Sequence, residues 1–145
     1  MSKTRGHHTS GISAELSELQ RYEGQANSNG SKDYWGPQIH ILREEALAWS
    51  LQASGKAKEA ESQMHAAADQ EDAMEKLPVT PGPIVPAREQ LGELLLEQHR
   101  PAEAAAAFRQ SLVNSPNRKN GIDGLSTAEK NRRKDMSNVQ LRLQN

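Results

Sequence analysis

Apolar residues along this chain recur every three or four positions and nowhere alternate over a useful length, which predicts helices and no strand. Ile12, Leu16, Leu19 and Tyr22 mark a short amphipathic helix over Ile12–Glu23, followed by a polar loop over Gln25–Ser31. A second helix is predicted from about Tyr34 to Ala53, with Ile39, Leu42, Ala46, Leu47 and positions 49–51 as its core side. Pro37 suits its first turn, where no intrahelical N–H is needed, and Gly55 ends it. An Ala-rich third helix runs from about Ala57 to Met74. Leu91, Leu94, Leu95 and Leu96 define a fourth over about Pro86–Gln98. After the turn His99-Arg100-Pro101, a fifth spans about Ala102–Val113 and is closed by Pro116. Beyond it, Gly121–Lys130 and Met136–Leu143 look like two short helices separated by a basic loop. The fold class is all-α.

Four of the seven prolines fall in the nine residues from Pro78 to Pro86, between the third and fourth helices. Each proline disfavours helix for its predecessor and removes a backbone donor, so the segment holds an extended path. Its apolar residues Leu77, Val79, Ile84 and Val85 predict that it lies against the helices it joins, as a packed joint rather than a flexible linker.

A shift of 44 residues superposes the helix pairs on either side of this joint. Leu47-Ala48 falls on Leu91-Gly92, Leu51 on Leu95, Glu59-Ala60 on Glu103-Ala104, Met64 on Phe108 and Ala67 on Ser111. Small residues let two antiparallel helices approach closely, and the large ones fill the gaps between them. A single pair cannot bury its apolar face, so such units stack.

This pattern resembles the tetratricopeptide repeat, a helix–turn–helix unit that carries a large and then a small residue in its first helix. Its second helix carries Ala, an aromatic, a small residue and a closing Pro. Residues 85–118 match through Leu91-Gly92, Leu95, Ala104, Phe108, Ser111 and Pro116. Residues 41–74 match more loosely, through Leu47-Ala48, Leu51, Ala60, Met64 and Ala67. A degenerate third unit over about 119–145 begins with Ile122, Leu125 and Ser126 and then departs, since Asn138 and Arg142 stand where Ala and an aromatic belong. The wider string, from Tyr34-Trp35 through Ala48-Trp49 and Glu71-Asp72-Ala73 to Pro86-Ala87-Arg88-Glu89-Gln90-Leu91, looks like a bacterial subclass of that family. The resemblance implies antiparallel helix pairs stacked in a short right-handed superhelix with capping helices. On that basis 12–145 is one domain, preceded by a disordered tail over residues 1–11.

The resemblance also implies a groove lined by the first helix of each repeat. Carried over by position, its lining is Leu42, Glu45, Trp49, Gln52 and Ala53 from one unit, and Pro86, Glu89, Glu93, Leu96 and Glu97 from the other. The partner-binding residues expected here are Leu42, Glu45, Trp49, Gln52, Glu89, Glu93 and Leu96. One Trp among carboxylates suits a basic or amphipathic peptide, with Trp49 as anchor. In the alternative, Trp49 packs on the first helix at Leu16 and Leu19 and the protein fills its own groove. With two clear units, a twin chain in a homodimer is a further way to close the stack.

Composition narrows the chemistry. Aromatics are 3% and there is no cysteine, which excludes disulfides, thiol nucleophiles and thiolate metal sites. No apolar run approaches a membrane span, and the start of the chain has no signal-peptide core, so the expected compartment is cytoplasmic. Net charge is −1, but residues 117–145 carry +4 and the remainder −5. The cluster Lys130-Asn131-Arg132-Arg133-Lys134 lacks nearby aromatics for base stacking, which argues against nucleic acid and for a solvated turn. His65 and Asp69 stand one helical turn apart, and Asp69, Glu71, Asp72 and Glu75 form an acidic run. Both are expected to be solvated helix faces, because the run lacks a calcium loop's glycine and spacing. No phosphate-cradling loop or nucleophile elbow is present. The functional expectation is a non-enzymatic protein-interaction module without cofactors. The alternatives are a self-associating structural domain and, with less to support it, a metal-binding or hydrolytic helical bundle.

Overall fold

A computed structural model describes residues 12–28, 35–74 and 82–143, which form six helices and no strand. They are α1 (Ile12–Ser28), α2 (Trp35–Ala53), α3 (Ala57–Ala73), α4 (Ala87–Glu97), α5 (Pro101–Asn114) and α6 (Lys119–Leu143). The all-α expectation holds, and four of the six helices lie within a residue or so of their predicted bounds. The expected tail over residues 1–11 lies outside the described residues, as do Leu77, Val79, Pro78 and Pro81 of the proline stretch.

Two boundaries differ from expectation, each for a physical reason. Helix α1 runs on through Gln25–Ser28, where a loop was predicted. Ser28 donates to the Gly24 carbonyl at 2.8 Å, and packing of α1 on α2 outweighs the weak propensity of its Gly and Asn. Helix α6 is one rod of 25 residues rather than two short helices. No proline or glycine interrupts it after Gly124, and Lys and Arg are good helix formers, so the basic cluster is mid-helix and not a turn. Arg132 also closes an i,i+3 pair onto Glu129 at 2.9 Å.

The chain divides into two compact units, residues 1–87 and 88–145. In the first, α2 packs against both α1 and α3. Its buried stripe therefore runs through Ile41, Glu45, Ala48 and Trp49, while Leu42, predicted to be buried, is exposed. A part-buried charge cluster fastens α1 to α2: Glu23 accepts from Arg43 Nε at 3.1 Å and meets His40 Nδ1 at 3.0 Å, and Arg43 also pairs with Glu44 at 3.0 Å. For His40 to bond Glu23, the proton must be on Nδ1, because a carboxylate only accepts. Ala87 closes the unit. It is buried with Ile41, Ala67 and Ala68, and donates its N–H to Glu71 Oε2 at 3.1 Å. Glu71 is thus a cap on the first amide of α4 and not part of a solvated acidic face. Among the described residues of the proline stretch, Pro86 is buried and Val85 half-buried, whereas Ile84 is 93% exposed.

In the second unit the ring of Phe108 (α5) is wholly buried between two glycines. A Cβ built at Gly92 (α4) would stand 2.8 Å from the ring, and one at Gly124 (α6) would also overlap it. At both positions the ring leaves no room for a side chain. Glu89 of α4 is also fully buried; its Oε2 accepts from Arg118 Nε at 3.1 Å, while Oε1 has no hydrogen-bond partner among the described residues.

Candidate functional site

The 44-residue repeat is present in the backbone itself. Helix α2 ends in a Schellman turn: Lys56 N–H bonds Leu51 C=O at 3.0 Å and Gly55 N–H bonds Gln52 C=O at 3.0 Å, with Gly55 at φ 77. Forty-four residues on, α4 ends in the same motif. Arg100 N–H bonds Leu95 C=O at 2.9 Å, and His99 N–H bonds Leu96 C=O at 3.1 Å, with His99 at φ 58. Each turn then starts the next helix with an i,i+3 pair, Lys56–Glu59 and Arg100–Glu103. Such short connections join neighbouring antiparallel helices.

Only part of the predicted groove faces outward. Glu45, Trp49 and Glu89 are buried, so these three side chains support the fold and cannot meet a partner. The reason lies in the position of their helices. Helix α2 has neighbours on two sides, and α4 buries Ala87, Glu89, Gln90, Leu91, Gly92, Leu94 and Leu95, leaving little of its circumference open. Leu42 is exposed, and Gln52, Glu93 and Leu96 are half-buried. Of the seven, Leu96 borders a depression of about 260 Å³ with His99, Pro101, Asn131, Lys134 and Asp135.

Sharing Pro101 and Asp135 with it is a larger and more apolar depression of about 430 Å³. One wall is the start of α5, with Arg100, Pro101, Ala102 and Glu103. The other is the far half of α6, with Arg132, Asp135, Met136, Val139 and Gln140. The notch follows from helix lengths. At about 1.5 Å per residue, 25-residue α6 is roughly 37 Å long and 14-residue α5 roughly 21 Å. Since α6 turns back along α5, its last ten or so residues extend past the start of α5. There its inner face, which buries Gly121 and Ala128 nearer its own start, leaves Met136 59% and Val139 56% exposed. Sequence patterning did not find this notch, because it placed a break at the basic cluster and so never continued the α6 stripe through it.

The other candidate clusters offer less. His65 and Asp69 are both exposed. No group of three or more His, Asp or Glu is placed to hold a metal ion among the described residues. No described helix is long and apolar enough to cross a membrane. The outer face of α6 gathers Lys130, Arg133 and Lys134 with Ser126, Ser137 and Asn138 around a shallow polar surface. Comparison with family models, with characterised proteins and with solved structures found no match.

Proposed function

We propose that this chain is a non-enzymatic helical-repeat module of the tetratricopeptide type whose work is to hold another polypeptide, and that it does so at the α5–α6 notch. The observation that carries the proposal is the exposed apolar face of Met136 and Val139 set against Pro101 and Ala102, with charged residues on its rim. Interaction sites have this anatomy, an apolar centre within a polar border. Support for the repeat type comes from the twin Schellman turns and from the matched small and large residues 44 positions apart. The partner surface then lies at the end of the last helix pair rather than along the first helices, where Glu45, Trp49 and Glu89 are covered.

The test is site-specific photocrosslinking in cells, with a benzophenone amino acid placed in turn at Val139, Leu42 and the exposed control position Gln110. Protein adducts from Val139 in clear excess over both others are expected. Adducts at equal yield from all three positions, or from Leu42 alone, would overturn the notch as the partner site.

A further inference from the structure

We infer that the polypeptide held in the notch is the α6 overhang of a second copy of this chain, the two overhangs crossing antiparallel about a two-fold axis. The inference rests on the interaction-module reading and names its partner. Its basis is the spacing of residues on the overhang. Arg132, Met136 and Val139 step by four and three along one side of α6, the seam spacing of paired helices, and Asp135 and Arg142 flank that seam exactly one heptad apart on the same edge. Met136, Val139, Asp135 and Arg142 are all exposed, and neither Asp135 nor Arg142 makes an ion pair among the described residues.

Charge selects both the partner and its direction. With two copies antiparallel, Met136 of each faces Val139 of the other, and Asp135 of each faces Arg142 of the other, so one opposite-charge pair is made twice by symmetry. A parallel arrangement would set Arg132 against the same residue of the second copy, a like-charge contact, and would leave Asp135 opposite the neutral Gln140. A single patch that carries both halves of its own complement is what a two-fold interface requires. The start of α5 adds Pro101 and Ala102 to the apolar surface covered. Fewer than two heptads form a small interface, so association is expected to be weak and concentration-dependent.

Sedimentation equilibrium of the full chain from about 5 to 500 µM would test it. The 16.0 kDa chain should move toward twice that mass with rising concentration. Val139→Glu should weaken association at least tenfold with helicity by circular dichroism unchanged. Asp135→Arg and Arg142→Asp should each weaken it several-fold, and the two together should restore it, because the exchanged charges again face each other. That rescue separates specific pairing from any loss of folding. A strict monomer across the range, or a double variant no better than the singles, would overturn the second copy as occupant. If the chain is monomeric and Val139 still crosslinks other proteins, only this inference falls; if Val139 gives no protein adduct either, the interaction reading falls with it.

Discussion

Met64 in the α2–α3 pair and Phe108 in the α4–α5 pair occupy equivalent positions 44 residues apart, and both are fully buried. Their small counterparts in the preceding helices are Ala48 and Gly92. The pairs therefore solve one packing problem in two ways. A flexible thioether fills its site beside a helix that keeps its methyl groups, whereas a rigid ring needs a helix stripped to its backbone. In the second unit the ring is so close that α6 is stripped as well, at Gly124. The same contrast recurs at the turns, where Gly55 adopts the left-handed conformation without steric cost and His99 adopts it at a cost. The second pair is the more specifically shaped of the two, and it carries its strain where the first has none.

Truncating the large residues should separate the pairs most clearly. Phe108→Ala is expected to lower unfolding free energy by about 4–5 kcal/mol, the upper part of the range for such changes, because glycine backbones on both sides have no side chains with which to refill the cavity. Met64→Ala should cost less, about 2–3 kcal/mol. Urea denaturation of each variant checks the order; equal losses would mean the two sites are packed alike. Next in size, Gly92→Ala should destabilise by about 1–2 kcal/mol net, overpacking against the ring outweighing the better helix propensity of Ala. Combining it with Phe108→Met should recover much of that loss, since the second pair then carries the first pair's solution. A double-mutant cycle with no coupling would break the comparison at its centre. The turns give the smallest effect. Gly55→Ala should cost about 1 kcal/mol and His99→Gly should add roughly 0.5 kcal/mol, partly offset by the entropy glycine adds to the unfolded chain. Thermal melts of the two variants should therefore shift in opposite directions.

Most of the helical layout was legible without coordinates. Leu91, Leu94 and Leu95 announce α4 by spacing alone, and Gly55 and His99-Arg100-Pro101 mark the ends of α2 and α4 by turn chemistry. The errors came where two local signals competed. In 25–28, Gly and Asn read as loop, yet contact with α2 held the helix. In 130–134, charge density read as a turn, yet four of the five residues are Lys or Arg, which are good helix formers. The candidate site was much less legible. Glu45 and Glu89, also equivalent by 44 residues, are charged and were placed on a groove, but both are buried. Polarity pointed outward there, and for Glu89 only the later arrival of Arg118, 29 residues further along, makes its burial tolerable.

What the sequence determined by itself is the course of most helices, the turns that end α2 and α4, and the doubled pattern of large and small positions, since these follow from backbone preference and the 3.6-residue period. What only the tertiary structure decided is which faces of those helices remain open. Burial of Trp49 depends on the neighbours of α2, the closeness of Phe108 to two helices on their approach, and the exposed notch on α6 outrunning α5. These are relations between segments distant along the chain, and a local pattern carries no information about which distant segment covers it.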